Sequence, residues 1–115
     1  MVDTAVLDVP SVGLATEGIN LLKKKFGLPC GGAPVNAVSE WKKVRTLSAF
    51  AKNVCMSNAV TAMQHAGADF ILYGPIENAE VVFPAAAMVD AIIAYNSRIH
   101  GIKMKTKNHP LLKIF

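Results

Sequence analysis

The sequence predicts an α/β fold built from parallel βα units, and three observations carry that prediction. Apolar runs with β-branched residues open the chain and recur near residues 29–35 and 69–73. Each run ends in a loop marked by proline or glycine. Each loop then leads into sequence with helical periodicity. Strands that alternate with helices in this way pair in parallel, because the crossover helix returns the chain to the same end of the sheet.

The elements follow in order. Val2 to Asp8 is the first strand-like run, broken by Pro10 and Gly13. Thr16 to Phe26 is expected to be a helix, with Ile19, Leu22 and Phe26 on one stripe and Gly27 as its stop. Leu28 to Val35 is the second strand. Its glycines imply tight packing or close approach of a ligand. Ser39 suits the N-cap of a short helix through Trp41 and Val44. Ser48 suits the cap of a longer one reaching Ala66, with Val54, Met56, Val60 and Met63 turned inward and Gly67 as its stop. Asp69 to Tyr73 is the third strand. Asn78 to Arg98 is the last helix, with Ala85, Met88, Val89, Ile92 and Asn96 on one face. Pro84 fits only its first turns or a kink, and Gly101 ends it. A basic tail leads to His109-Pro110-Leu111-Leu112-Lys113-Ile114-Phe115, an apolar end that is expected to dock.

Composition narrows the class. The 115 residues suit one domain, 1–115. The chain is 52% apolar, with mean hydropathy +0.35, against the ~45–50% usual for soluble domains. The longest apolar segment, Val81 to Ala94, is interrupted by Pro84 and Asp90 and reads as a buried helix rather than a membrane span. No basic stretch followed by an apolar core opens the chain, so no secretory signal is expected. The apolar excess instead implies surfaces that a partner covers. The net charge of +4 lies in short clusters: Lys23-Lys24-Lys25, then Lys42, Lys43 and Arg45, then Lys103, Lys105 and Lys107. No aromatic pattern interleaves them, so they read as solvated faces rather than a nucleic-acid interface. Cys30 and Cys55 read as buried thiols of a reducing compartment, which predicts a cytoplasmic location. His65, His100 and His109 lack metal-ligand spacing, and no metal is expected.

Parallel strands are normally covered on both faces, and three make a poor closed unit. A complete TIM (β/α)8 barrel takes about 250 residues. The chain therefore resembles the last three units of such a barrel, left incomplete. Ligands of βα folds bind at the carboxyl ends of strands. That places Asp8, Asn36, Tyr73 and Glu77 as candidate substrate-binding residues on one face. Each also has a purely structural reading. Asp8 suits a helix cap, Asn36 a turn or cap, and Tyr73 and Glu77 a loop and a helix start.

Long unusual strings then support a specific resemblance. They are Val2 to Leu14, Gly32-Ala33-Pro34-Val35-Asn36-Ala37-Val38-Ser39-Glu40-Trp41, and Gly67 to Glu77, followed by Val82-Phe83-Pro84 and Met88-Val89-Asp90-Ala91. Across essentially the whole chain, these resemble the C-terminal part of the H subunit of tetrahydromethanopterin S-methyltransferase, within the pterin-binding methyltransferases. The resemblance implies a barrel that binds methyl-tetrahydromethanopterin. Its methyl group would pass to the cob(I)amide of a corrinoid-bearing subunit, in a membrane-associated complex of methanogenic archaea. It also implies that Asp8 and Asn36 contact the pterin, with Asn36 catalytic. An Asn amide has donor and acceptor faces and can follow changing charge on N5 without titrating, and a carboxylate suits the ring N–H donors. The implied partners are the other subunits of that complex, and a homo-oligomer or a barrel-completing chain; neither nucleic acid nor a transmembrane segment is implied. The missing earlier strands leave several readings open: a fragment of the enzyme, a truncated product, one part of a split barrel, a catalytically incompetent interaction or assembly subunit, or a free-standing α/β binding module.

Overall fold

The computed structural model describes residues 1–114. The elements run β1 (Val2–Asp3), α1 (Ser11–Phe26), β2 (Cys30–Gly32), α2 (Pro34–Glu40), α3 (Ala49–His65), β3 (Phe70–Ile71), α4 (Ala79–Ile99) and α5 (Leu111–Ile114). Short 3-10 turns span Lys42–Thr46 and Ile76–Asn78. The strands form one parallel sheet in the order β1-β2-β3, with Val2 opposite Cys30 and Gly31 opposite Phe70. Parallel, adjacent βα units are thus present as the sequence predicts. Three strands do not close a barrel.

Period-two alternation explains the layers. Val2, Val6, Cys30 and Ile71 join one apolar cluster with Val12, Ala15 and Ile19 of α1 and Met63 of α3. Ile71 and Tyr73 also join a second cluster, around Val35, Val38, Met56, Val60 and Val82. The helices therefore cover one face of the sheet. On the other face Leu7 is 79% and Leu72 50% exposed, and Asp3 and Ala5 are exposed too. A parallel sheet with a bare apolar face matches the expectation of surfaces that await a cover.

Several boundaries differ from those expected, each for a local reason. α1 begins at Ser11, not Thr16, because a cap built by Asp8 and Ser11 starts the helix early and Gly13 is absorbed within it. The strand of Leu28 to Val35 shrinks to Cys30–Gly32, because Pro34 occupies the first helical position of α2, where its missing N–H costs nothing. Asn36 and Ser39 consequently lie inside α2 rather than before a helix. Ser48 does cap α3, accepting the Ala51 N–H at 3.2 Å. Val54 is 44% exposed, so the inward stripe of α3 is Met56, Val60 and Met63. Cys30 is buried as expected, but Cys55 is only half-buried. In α4 the buried residues are Val82, Val89 and Ala91, while Met88 and Ile92 are 56% and 51% exposed. This helix is apolar nearly all round, so periodicity alone does not select its core stripe. Within the tail that was expected to dock, Leu111 does so and is 3% exposed, while Leu112 is 48% exposed and Phe115 lies outside the described residues.

The amino end of the sheet is fastened by charge. Lys23 Nζ, in the last turn of α1, donates to Gly67 O and to Asp69 Oδ1, both at 2.8 Å. Asp69 Oδ2 accepts the Cys30 N–H at 2.9 Å. The lysine hydrogen bond, then the Cys30 N–H, hold the Asp69 carboxyl below its ordinary value of 3.8. A folded-state value that is depressed contributes stability above the unfolded value, and that stability is lost as pH falls through the folded one. The ion pair is exposed by more than a third on both sides, so solvent discounts it. Asp69→Asn is expected to cost about 1 kcal/mol at neutral pH. Urea titrations of both chains should converge in acid, once the native carboxyl is protonated. A difference that persists there would show that the charge is irrelevant.

Candidate functional site

The carboxyl ends of the strands are organised by three short devices. After β1, Asp8 and Ser11 cap α1 reciprocally. Asp8 Oδ1 accepts the Ser11 N–H at 2.8 Å, while Ser11 Oγ accepts the Leu7 and Asp8 N–H groups at 2.9 Å. This satisfies backbone donors that β1, past Asp3, would otherwise leave unpaired. It also fixes the carboxylate at the mouth of the sheet. Asp8 is exposed, and a carboxylate has about four lone-pair sites, so the group keeps capacity for a ligand. The structural role expected of Asp8 is therefore present, and it leaves room for a second one.

After β2, four of the seven residues of α2 are buried: Pro34, Val35, Ala37 and Val38. Val35 and Val38 enter one apolar cluster and Ala37 the other. That pinning turns Asn36 outward on the first helical turn, where it is exposed. After β3, Gly74 takes φ +74°, a conformation that side chains rarely adopt. A Cβ placed there would lie 3.5 Å from Asn36 Oδ1 and 3.8 Å from Asn78 Nδ2. Asn78 Nδ2 in turn donates to Tyr73 O at 2.9 Å, which ties the loop to the start of α4. The loops after β2 and β3 thus bring Asn36 beside a bare stretch of backbone.

The four expected residues do not share one fate. Asp8 and Asn36 follow adjacent strands, β1 and β2, and both are exposed at the carboxyl end. The Tyr73 ring goes the other way. Alternation along β3 puts it with Ile71 on the helix side, edge-on to Phe83 with ring centroids 5.5 Å apart. Glu77 is exposed on the 3-10 turn before α4. Sequence reasoning passed over Gly74 and Asn78 as neighbours of Asn36, and Ser11 as the partner of Asp8. The Gly74-Pro75 pair was a legible turn signal for the first of these.

A groove of about 380 Å³ opens beside this mouth, lined by Val9, Val12, Val38, Trp41, Cys55 and Asn58 among others. None of Asp8, Asn36, Tyr73 and Glu77 lines it. Among the described residues, no group of three or more His, Cys, Asp or Glu side chains stands together as metal ligands would. No helix among them is long and apolar enough to cross a membrane.

Comparison with known proteins adds identity to this geometry. The family model of the tetrahydromethanopterin S-methyltransferase MtrH subunit matches residues 1–105. The tetrahydromethanopterin S-methyltransferase H subunit of Methanosarcina barkeri is 34% identical over 122 residues, covering 99% of this chain and 39% of that protein. The corresponding protein of Methanothermobacter thermautotrophicus is 35% identical over 118 residues, with 99% and 38% covered. That of Methanocaldococcus jannaschii is 36% identical over 127 residues, with 99% and 40% covered. The chain spans about two fifths of the length of these relatives. The chain belongs to the family of the tetrahydromethanopterin S-methyltransferase MtrH subunit.

Proposed function

We propose that this chain forms the pterin-binding end of a methyltransferase, which moves the N5-methyl group of methyl-tetrahydromethanopterin to a cob(I)amide held by a partner subunit. The observation that carries the reading is the placement of Asp8 and Asn36, exposed at the carboxyl ends of adjacent parallel strands, in a chain of this family. The residues fit such a ligand. Asp8 offers carboxylate lone pairs to the N–H donors of a pterin ring. Asn36 offers an amide beside Gly74, where the absence of a Cβ lets a flat ring approach the backbone.

N5 is a poor leaving group. As the methyl group departs, N5 keeps the bonding electron pair, its basicity rises, and it takes up a proton from solvent at the open mouth to end as a secondary amine. A donor aimed at N5 lowers the barrier because it strengthens as charge develops there. Asn36 would fill that role by donating an amide N–H toward N5. Asp8 holds the ring in the ground state, already oriented by its Ser11 bond. The corrinoid, when bound, would supply the nucleophile that accepts the methyl group. Glu77 lies close enough in sequence to the β3 loop to serve as a rim contact. Tyr73 contributes its carbonyl, through Asn78, more readily than its ring.

In this reading the bare sheet face is closed by further barrel strands, from the same protein or from a second chain, at the periphery of a membrane-associated complex in the cytoplasm. That uncovered face also favours a second reading, an incomplete barrel that acts as an assembly subunit. Binding separates the two. The purified chain, alone and with the remaining part of a relative's H subunit, is titrated with methylated pterin. Binding in either setting supports the enzyme reading; no binding in both leaves the assembly reading. Asp8→Ala is expected to weaken pterin binding by roughly tenfold or more, and also to lower stability by about 1 kcal/mol through loss of the cap. Asp8→Asn keeps a cap acceptor without the charge. It should restore stability but not affinity, which isothermal titration beside a melting curve will show.

A further inference from the structure

The closing segment of the chain is held by a hydrogen bond that one proton can break. His109 lies two residues before α5 and closes its first turn. Its Nδ1 accepts the Leu111 N–H at 3.2 Å, and its backbone carbonyl accepts the Leu112 N–H at 3.0 Å. Pro110, between them, has no N–H to place. A ring nitrogen that accepts is unprotonated, so the neutral imidazole carries its proton on Nε2. α5 packs on α4, and Leu111 is only 3% exposed there. Water is therefore a poor substitute partner for the Leu111 N–H, and a buried donor left unpaired is costly.

The charges around the imidazole act in the same direction. His109 shares a hollow of about 230 Å³ with Asp90 and Ser97 of α4 and with Lys103 and Lys105 of the loop before it. Asp90 favours an imidazolium, but its Oδ1 already accepts from Gln64 Nε2 at 2.6 Å. The two lysines oppose one. Arg98 of α4 adds to them from beside Leu111 and Leu112, and Lys107 and Lys113 flank His109 in sequence.

We propose that α5 is a pH-sensitive latch, which protonation of His109 releases from α4. An imidazolium donates from both nitrogens, so Nδ1 would then set an N–H against the Leu111 N–H. The same step adds a positive charge to a hollow where lysines already outnumber the carboxylate. The docked state thus takes up the proton less readily than the released state. Docking is complete above the range in which histidine ordinarily titrates, about pH 5 to 8, and weakens as pH falls through it. Release bares Leu111 and the stretch of α4 around Ala91 and Tyr95 that lines a groove with it.

Amide exchange of Leu112 and Lys113 in the full chain tests the latch, with each rate corrected for its intrinsic value at the same pH. Their N–H groups bond to His109 O and Pro110 O only while the turn is closed. Protection should fall about fivefold or more between about pH 8 and about pH 5.5. His109→Asn keeps a side-chain acceptor that does not titrate, and should hold its protection over that range. His109→Ala has no acceptor, and should be as weakly protected at the higher pH as the parent is at the lower. The amide of buried Val89 in α4 should keep its protection throughout, which separates release of α5 from loss of the fold. Protection that is flat with pH in the parent overturns the proposal. So does a fall that persists in His109→Asn, which would point to His100 at the end of α4, or a fall that Val89 shares. Full protection of His109→Ala at the higher pH overturns it as well. Pterin binding plays no part in the latch, so either can fail alone.

Discussion

Replacing Asn36 with alanine is expected to slow methyl transfer by roughly 10²-fold or more while changing pterin affinity little, in a completed barrel. α2 fixes the direction of the side chain. Val35, Ala37 and Val38 are each no more than 2% exposed, so the helix cannot rotate, and Asn36 is held outward beside Gly74. On the proposed reading, N5 is alkylated and only weakly basic in the ground state, so the amide would gain little from it. On the same reading, N5 would keep the C–N bonding pair as the methyl group leaves, and the amide hydrogen bond would strengthen. An interaction made mainly in the transition state appears in the rate and not in the affinity. Single-turnover transfer from the methylated pterin to free cob(I)alamin, read beside equilibrium binding, separates the two. Asn36→Asp is a useful companion. It keeps the shape but loses the donor, and should be nearly as slow. An Asn36→Ala enzyme that binds weakly yet transfers at the parental rate would reduce the residue to a ground-state contact. Glu77 and the loop after β3 would then be the place to seek the donor.

How much of this could be read in the sequence differs from element to element. The parallel order of the strands followed from alternation with helices. Ser48 and Gly67 marked both ends of α3, because caps and stops act locally. Strand lengths were not legible. The run from Val2 to Asp8 has strand composition throughout, yet the Leu7 and Asp8 N–H groups go to Ser11 Oγ and leave the ladder early. Pro34 reads as the end of a strand, although the same residue is favoured at a helix start. The outward stripe of α4 is hidden because the helix is apolar on almost every side. At the site, the residue types at the strand ends were visible, but their directions were not. Tyr73 and Asn36 both stand at strand ends. Only the pleat of β3 and the pinning of α2 decide that one turns into the core and the other away from it. Lys23 shows the same limit for charge. It sits in a run of three lysines, but a partner 46 positions on takes it out of the solvated face.

Gly31→Ala is expected to be the most damaging single-methyl change in the chain. Gly31 is the middle residue of the central strand and pairs with Phe70. A Cβ there would stand 2.1 Å from Phe70 O and 2.8 Å from Phe70 Cγ. The nearer atom is backbone, so no rotamer relieves the clash; β2 or β3 must move. Neither moves freely. β2 is held on one side by the Val2 N–H to Pro29 O and the Thr4 N–H to Gly31 O, each at 2.8 Å. On the other side the Asp69 N–H reaches Cys30 O at 2.7 Å and the Leu72 N–H reaches Gly32 O at 2.9 Å. Overpacking typically costs about 1–3 kcal/mol, and a backbone clash with the ladder intact on both sides belongs at or above the top of that range, about 3 kcal/mol. Gly13→Ala is the contrast: its Cβ would meet nothing within 4 Å inside α1, where alanine is favoured, so stability should rise by roughly 0.5–1 kcal/mol. Urea midpoints of the two variants should therefore move in opposite directions. The damage should also reach the site, because β2 runs through Ala33 directly into α2. A Gly31→Ala chain that retains some fold is expected to bind methylated pterin more weakly than its parent, although Asp8 and Asn36 are both untouched. If instead the variant unfolds within about 1 kcal/mol of the parent, a difference typical of an average substitution, β2 and β3 are not held in the close pairing that places Asn36 beside Gly74.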